Sequence, residues 1–434
     1  MQQLQKPKQG YKIVRINLRR YEEIPTDWNV VPLRSLVKDI QTGFAEGERD
    51  EDGILQLRMN NISDDGTLNL DKTLKVPVPA DIDKYDLEKN DVLFNNTNSL
   101  DLIGKSTIIK NDLNYTFSNH ITRIRTKDEE LIPYFLILSF LKYKKDTLFR
   151  SICNTHVGQS DIGKDELLKI GIILPSVPEQ QKIASILSNV DSLIQQTQNE
   201  IEQTQRLKKG LMQRLLTKGI GHTKFKQTEL EKIPEDWNVV KLKDIATIRG
   251  GKRLPIGEKY SEEKTDYPYI RIVDFQNGTV ITDNLVYLKE STFQKMKNYS
   301  ISAKDVYISI VGSLLGIAGT IPSQLDGAIL TENAAKLCNL NVNEEFLSHF
   351  LNSSIGQKQI TSYRSNAGKP KLALFRIGKF IVFLPSLKEQ NEIVSIVSNF
   401  DSYLKTQQEC KSNLETLKKG LMQKLLTGQV RVKV

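Results

Sequence analysis

Two stretches of this chain carry an apolar stripe whose spacing alternates between four and three. The first runs through Ile183, Leu187, Val190, Ile194, Ile201, Leu211 and Leu215, the second through Ile393, Val397, Phe400, Leu404, Leu414, Leu421 and Leu425. That is the heptad pattern of a helix that buries one seam against another helix. Ser176-x-x-Glu179 and Ser386-x-x-Glu389 have the spacing of a capping box, in which Ser and Glu satisfy free backbone N–H groups at a helix start. Gly219 and Gly428 suit the residue just past a helix end. From the capping Glu to the last Thr each helix spans 39 residues, or about 58 Å. Thr197, Thr204, Gln407 and Lys411 fall on the seam and predict a loosely packed centre. Two such helices in one chain pair most simply antiparallel. Gly210 and Gly420 interrupt both at the same place, at about 1 kcal/mol each relative to Ala. Their matched placement points to close backbone approach, to the opposite helix or to a partner protein; tolerated glycines are the plainer alternative.

The helices belong to a larger repeat. LPSVPEQQKIASILSNVDSLIQQ (174–196) returns as LPSLKEQNEIVSIVSNFDSYLKT (384–406), and LKKGLMQRLLT (207–217) as LKKGLMQKLLT (417–427). Upstream, IPTDWNVVPL (24–33) returns as IPEDWNVVKL (233–242). The blocks between share little beyond fragments such as LQLR (55–58) beside YIR (269–271). Both blocks read as mixed α+β, with short β-branched or aromatic runs such as HITRIR (120–125) and VYISIV (306–311), and helical stretches near 130–146 and 344–360. Trp28 and Trp237 sit in the shared opening and are expected as core anchors. The divisions that follow are a basic segment at 1–20, a globular block at 21–174, a helix at 175–220, a second block at 221–384 and a second helix at 385–434.

Charge narrows the partners. Lys+Arg is 61 against Asp+Glu 52, a formal net charge of +9, which favours a polyanion modestly. The last turns of both helices are strongly basic (Arg206, Lys208, Lys209, Arg214 and Lys218; Lys418, Lys419 and Lys424). The helix macrodipole accounts for part of this; the remainder suits a phosphate backbone or an acidic partner. Within the blocks, basic and amide side chains gather in turn-rich segments: Arg58, Asn60 and Asn61; Arg150 and Gln159; Arg249, Lys252 and Arg253; Arg271; Arg364, Lys369 and Lys371. Such side chains make bidentate contacts with guanine and adenine edges, and loops on a scaffold present them well.

Candidate catalysis is thin. Three cysteines without a CxxC pair exclude a disulfide framework, and four scattered histidines make a metal site unexpected. No apolar run reaches the roughly 18 residues that span a bilayer, so a cytoplasmic protein with no membrane partner is expected. Ile103-Gly-Lys-Ser106 looks like the end of a P-loop, but its first glycine would fall on Ser99. GxGxxG after a strand, GxSxG and HExxH are all missing.

The shared openings, the LPSxxEQ segments, the repeated LKKGLMQ[RK]LLT and the central TKFKQTELEKIPEDW (223–237) together resemble the specificity subunit of type I restriction–modification enzymes. The resemblance covers the chain in order. It implies an α+β fold with two globular target recognition domains in tandem, separated and joined by two long helices that form an antiparallel, pseudo-two-fold symmetric coiled coil. It further implies a subunit without catalytic activity or a cofactor of its own. Each domain would read one half of an asymmetric bipartite site on double-stranded DNA. The helices would set the gap and dock two methyltransferase subunits, with Ile183, Leu187, Val190, Ile194, Gly210, Leu211, Leu215, Ile393, Val397, Phe400, Leu404, Gly420, Leu421 and Leu425 serving helix packing or partner docking. Those partners would use S-adenosylmethionine, and motor–nuclease subunits would add ATP- and Mg-dependent cleavage. Gly158-Gln159 fits the family pattern near a domain's end, whereas Gly368-Lys369 departs from it. Two other readings stay open: a related system whose partner fuses methyltransferase and nuclease, and a coiled-coil scaffold with two protein-binding heads and no DNA role.

Overall fold

The computed structural model describes residues 7–17, 20–71, 73–112, 114–276, 278–365 and 370–434. The chain forms two compact units that do not follow the order of segments along it. One joins Met1–Gln198 to Cys410–Val434, and the other is Asn199–Glu409. Each long helix is therefore shared between units. The first helix is Val177–Lys218, 42 residues, and the second is Leu387–Leu425, 39 residues.

Within each unit the helical segments run antiparallel. In the first, Asp191 meets Lys418 Nζ at 2.6 Å and Gln198 accepts from Lys411 Nζ at 2.9 Å. In the second, Lys208 pairs with Asp401 and Tyr403 donates to Glu200. Ile183, Leu187, Val190, Leu215, Ile393, Val397 and Leu425 are buried, while Ile194, Leu211, Phe400, Leu404 and Leu421 are half-buried. Lys208 and Lys418, two of the basic residues near the helix ends, hold the opposite helix. Gly219 and Gly428 take left-handed φ of +65° and +71° just past the helices.

The sheets of the two units share one plan despite their different sequences. In the first unit an antiparallel sheet runs in the order Val37–Thr42, Ile121–Thr126, Val92–Asn95, Ser106–Ile108; in the second, Thr247–Gly250, Ala334–Cys338, Val306–Ser309, Ala318–Thr320. Beside it, Ile54–Leu57 pairs parallel with Tyr115–Phe117, as Pro268–Ile270 pairs with Ala328–Leu330. A third pairing brings each shared opening against the strand that leads into a long helix: Asn29–Pro32 with Gly171–Leu174, and Asn238–Lys241 with Ile381–Leu384. The apolar runs before Pro175 and Pro385 thus become the strands that aim the helices.

Each core is completed by the end of a long helix. Leu425 and Leu426 pack with Trp28, Phe135 and Leu187 in the first unit, and Leu215 and Leu216 with Trp237, Phe346 and Ile393 in the second. Burying such a leucine contributes roughly 1.5–3 kcal/mol.

The capping-box expectation is half met. Ser386 Oγ accepts from the Glu389 N–H at 3.3 Å, but the glutamate carboxylates do not return to the cap. Glu179 accepts from Trp28 Nε1 at 3.0 Å and from Arg431 Nε at 2.6 Å, and Arg431 also reaches Asp27 at 2.8 Å. Glu389 accepts from Trp237 Nε1 at 3.0 Å, contacts His222 Nε2 at 2.8 Å and accepts from the Ile220 N–H at 3.0 Å. At Glu179 the carboxylate is drawn away by an indole N–H and a guanidinium, whose charge-assisted bond outweighs an N-cap amide within reach of water; at Glu389 an indole, an imidazole and a backbone N–H take that place. The neighbouring glutamines act alike: Gln180 Oε1 accepts from the Ile132 N–H at 3.0 Å and Gln390 Oε1 from the Asn343 N–H at 2.9 Å. Those amides are free donors at the starts of helices Pro133–Lys145 and Glu344–Asn352. The repeated Glu-Gln dipeptide thus ties each long helix to the shared opening and to a helix of its domain.

Candidate nucleic-acid interface

A glycine fixes the same loop crossing in each domain. The Gly43 N–H donates to Ile121 O at 3.0 Å and the Gly251 N–H to Ala334 O at 2.9 Å. A Cβ on Gly43 would lie 2.2 Å from Phe117 O, and one on Gly251 2.0 Å from Thr331 O. Only glycine lets the loop leaving the first strand pass this close to the bend between two later strands. The crossing brings three segments together in each domain: the loop after the glycine, the bend at Ser118–His120 or Thr331–Asn333, and the arginine after the parallel strand, Arg58 or Arg271.

Those arginines are structural equivalents. The Arg58 N–H donates to Asn61 Oδ1 at 2.8 Å, and the Arg271 N–H to Asp274 Oδ2 at 2.7 Å. Arg58 Nη2 bonds Glu46 O at 3.0 Å; Arg271 Nη2 bonds Asn284 O at 2.6 Å and Asp274 Oδ1 at 2.9 Å. Asn61, expected to face bases, is fully buried and spends its amide on the Arg58 N–H and Asn69 O. Its role is to close a turn, and only Asn60 beside it is exposed.

In the second domain the crossing lines a cleft of about 420 Å³ with Arg253, Tyr260, Tyr269, Arg271, Val273 and Glu332 among its walls. Arg253 lines it from the glycine loop, with Lys252 just before it in the chain. Burial pushes the Glu332 carboxyl up, but Arg253 Nε, donating to Oε1 at 2.8 Å, together with the Thr331 hydroxyl and a backbone N–H, holds it below its usual range. Lys252 Nζ lies 5.5 Å from the Tyr299 ring centroid. Arg249 is exposed on the strand leading in.

The remaining basic residues lie elsewhere in their domains. Arg150 pairs with exposed Asp101. Gln159 is exposed in the hairpin of Asn154–His156 and Gln159–Asp161, whose second strand pairs with Thr97–Asn98. Lys371 bridges Ser365 and Val311, and Arg364 is exposed beside it. Lys369 lies outside the described residues. Sequence reasoning missed Glu332 and the two tyrosines, because an acid and two aromatics do not stand out in a search for basic loops. The glycine in both QTGF and IRGGK was the available signal for the crossing.

On the helices, Gly210 and Gly420 do not approach the opposite helix: a Cβ at either would meet nothing within 4 Å. Both are exposed, one turn from exposed Leu207 and Leu417. Leu193 and Tyr403, equivalent in the repeat, are also exposed. Each unit therefore presents the same outward set: Leu193, Leu417 and Gly420 in one, Tyr403, Leu207 and Gly210 in the other.

A family model described as the type I restriction modification DNA specificity domain matches residues 25–203 and again 234–416. The chain belongs to the type I restriction–modification specificity family. It is a specificity subunit with two specificity domains, and its internal repeat is that pair of domains. A Methanocaldococcus jannaschii chain named for the MjaX type I restriction enzyme specificity subunit is 29% identical, covering 98% of this chain and 99% of that one. The MjaVIII specificity subunit of the same organism is 27% identical over 94% of each. The fold matches the solved S subunit of a type I restriction–modification system from M. genitalium, with a TM-score of 0.55 at 18% identity over 95% of this chain and 98% of that one. Among the described residues no helix is long and apolar enough to cross a membrane.

Proposed function

We propose that each specificity domain reads one half of an asymmetric, bipartite double-stranded DNA target, and that the paired helices set the gap between the halves. The observation that carries this is the pairing of one loop crossing with two different sets of side chains. At matched positions the first domain has Phe44, Ala45 and Asn119 where the second has Lys252, Arg253 and Glu332. Identical scaffolds with unlike reading residues suit a target with two unlike halves.

The repeated outward set on the helices supports two copies of one partner. In this reading two methyltransferase subunits dock there and methylate adenine N6 with S-adenosylmethionine, while motor–nuclease subunits use ATP and Mg to cleave unmodified DNA. The chain itself supplies recognition, neither catalysis nor a cofactor, and works in the cytoplasm. Co-expression with the cognate methyltransferase subunit, followed by single-molecule mapping of methylated adenines, tests it. A single motif of two specified halves around an unspecified gap is expected. A stable complex that leaves no such motif would overturn the reading in favour of a protein scaffold.

A further inference from the structure

The cleft of the second domain holds an arginine whose geometry is set by a neighbouring acid. Arg253 donates through Nε to Glu332 Oε1 at 2.8 Å, and its side chain is otherwise exposed. Glu332 is itself held: Oε2 accepts from Thr331 Oγ1 at 3.1 Å and lies 3.4 Å from the Tyr269 hydroxyl. That hydroxyl donates to Lys252 O at 3.0 Å. The Gly251 crossing fixes both backbones, since the Lys252 N–H donates to Leu330 O at 2.9 Å. With Nε held by Glu332 on a side chain that is 79% exposed, the two Nη groups carry no hydrogen bond to a described residue and are left for an outside acceptor. Ile256 and Val273, both strongly exposed, stand on the two segments that flank it.

A carboxylate on a surface that meets DNA repels phosphates, so its presence needs a reason. An arginine that only neutralised phosphate would gain nothing from it. An arginine that must present two parallel N–H groups to one base edge gains orientation, and the guanine O6/N7 edge accepts that pair. Building on the functional reading above, we propose that Arg253 reads a guanine in the half-site of the second domain and that Glu332 is its positioning residue. The first domain has Ala45 and Asn119 at these positions, so this guanine contact has no counterpart in the other half-site.

The test uses the complex with the cognate methyltransferase subunits, by mapping methylated motifs and by binding to duplexes varied one base pair at a time. Arg253→Ala should relax one guanine, with discrimination there reduced about 5- to 150-fold, and leave every other motif position unchanged. Glu332→Gln should relax the same position more weakly. Wild-type complex should bind duplex carrying 7-deazaguanine at that position less tightly, and Arg253→Ala should not distinguish it from guanine. The wild-type arm of that measurement does not depend on any variant folding. A uniform loss of affinity over all sequences would make Arg253 a phosphate contact and overturn the proposal. So would an unchanged motif. A wild-type complex with no bipartite motif would instead overturn the functional reading on which the proposal rests.

Discussion

His222 occupies the position in the second unit that Arg431 occupies in the first, and each bonds the glutamate that also holds an indole N–H. The two locks are the same in outline and unequal in chemistry. Glu179 depends on Arg431 for its countercharge, whereas Glu389 has His222 and the Ile220 N–H as well as Trp237. Arg431→Ala leaves a buried carboxylate with one indole, and should cost about 2–3 kcal/mol, reduced because Arg431 itself is partly in water. His222→Ala should cost about 1 kcal/mol. Urea melts of the two variants, followed by tryptophan fluorescence, would show the difference.

Substituting the glycines separates their roles. Gly43→Ala and Gly251→Ala drive a Cβ into backbone oxygens at 2.2 and 2.0 Å, and each should destabilise its domain by about 2 kcal/mol or more. Gly210→Ala and Gly420→Ala meet open space, so each should stabilise the isolated chain by about 1 kcal/mol. If the outward helix face docks the partner, the same two changes should weaken that binding about tenfold. Thermal melts and titration calorimetry give the two readouts independently.

Stability below neutral pH should depend on His349. Burial and the nearby Lys208 push its pKa down to about 4, against a weaker opposing pull from Asp401. Between pH 6.5 and 4 the unfolded chain therefore binds a proton that the folded protein refuses, and stability falls as the pH is lowered through that window. The loss should approach 3 kcal/mol, by about 1.4 per pH unit. His349→Leu should flatten that part of the stability profile in melts at pH 4.5 and 7; an unaltered slope would assign it to other groups.

Inserting one heptad at the matched midpoints of both helices adds about 10 Å. If the helices act as a spacer, the gap in the methylated motif should widen by about three base pairs while both half-sites keep their bases. Changed bases at an unchanged gap would disprove the spacer role.

The frame of this molecule could be read in the sequence because the frame is what the repeat preserves. Heptads, the opening tryptophans and the proline-terminated strands all announce themselves by period or by echo. The shared sheet plan could not be read, since its strands need only β-branched or aromatic residues in alternation, and many sequences satisfy that. LQLR beside YIR was the faint trace of it, and it marks Arg58 and Arg271. Glu179 and Glu389 were visible but misassigned: spacing alone fits a capping box, and only the fold brings Trp28 or Trp237 within reach. Gly210 and Gly420 were misread in part for the same reason. A matched glycine suggests a close neighbour, but at both positions a Cβ would meet open space within the chain.

The division of the helices between units has a consequence for the order of synthesis. The first unit needs Leu425, Leu426 and Arg431 to finish its core and its lock, yet its other residues end at Gln198. At ~5–20 residues per second, the intervening segment takes about 10–40 s to translate. For that interval the first domain waits with one helical seam uncovered. The second unit begins with its share of the first helix and is complete at Glu409, so it lacks nothing still to come. The half that is made first is the half that closes last.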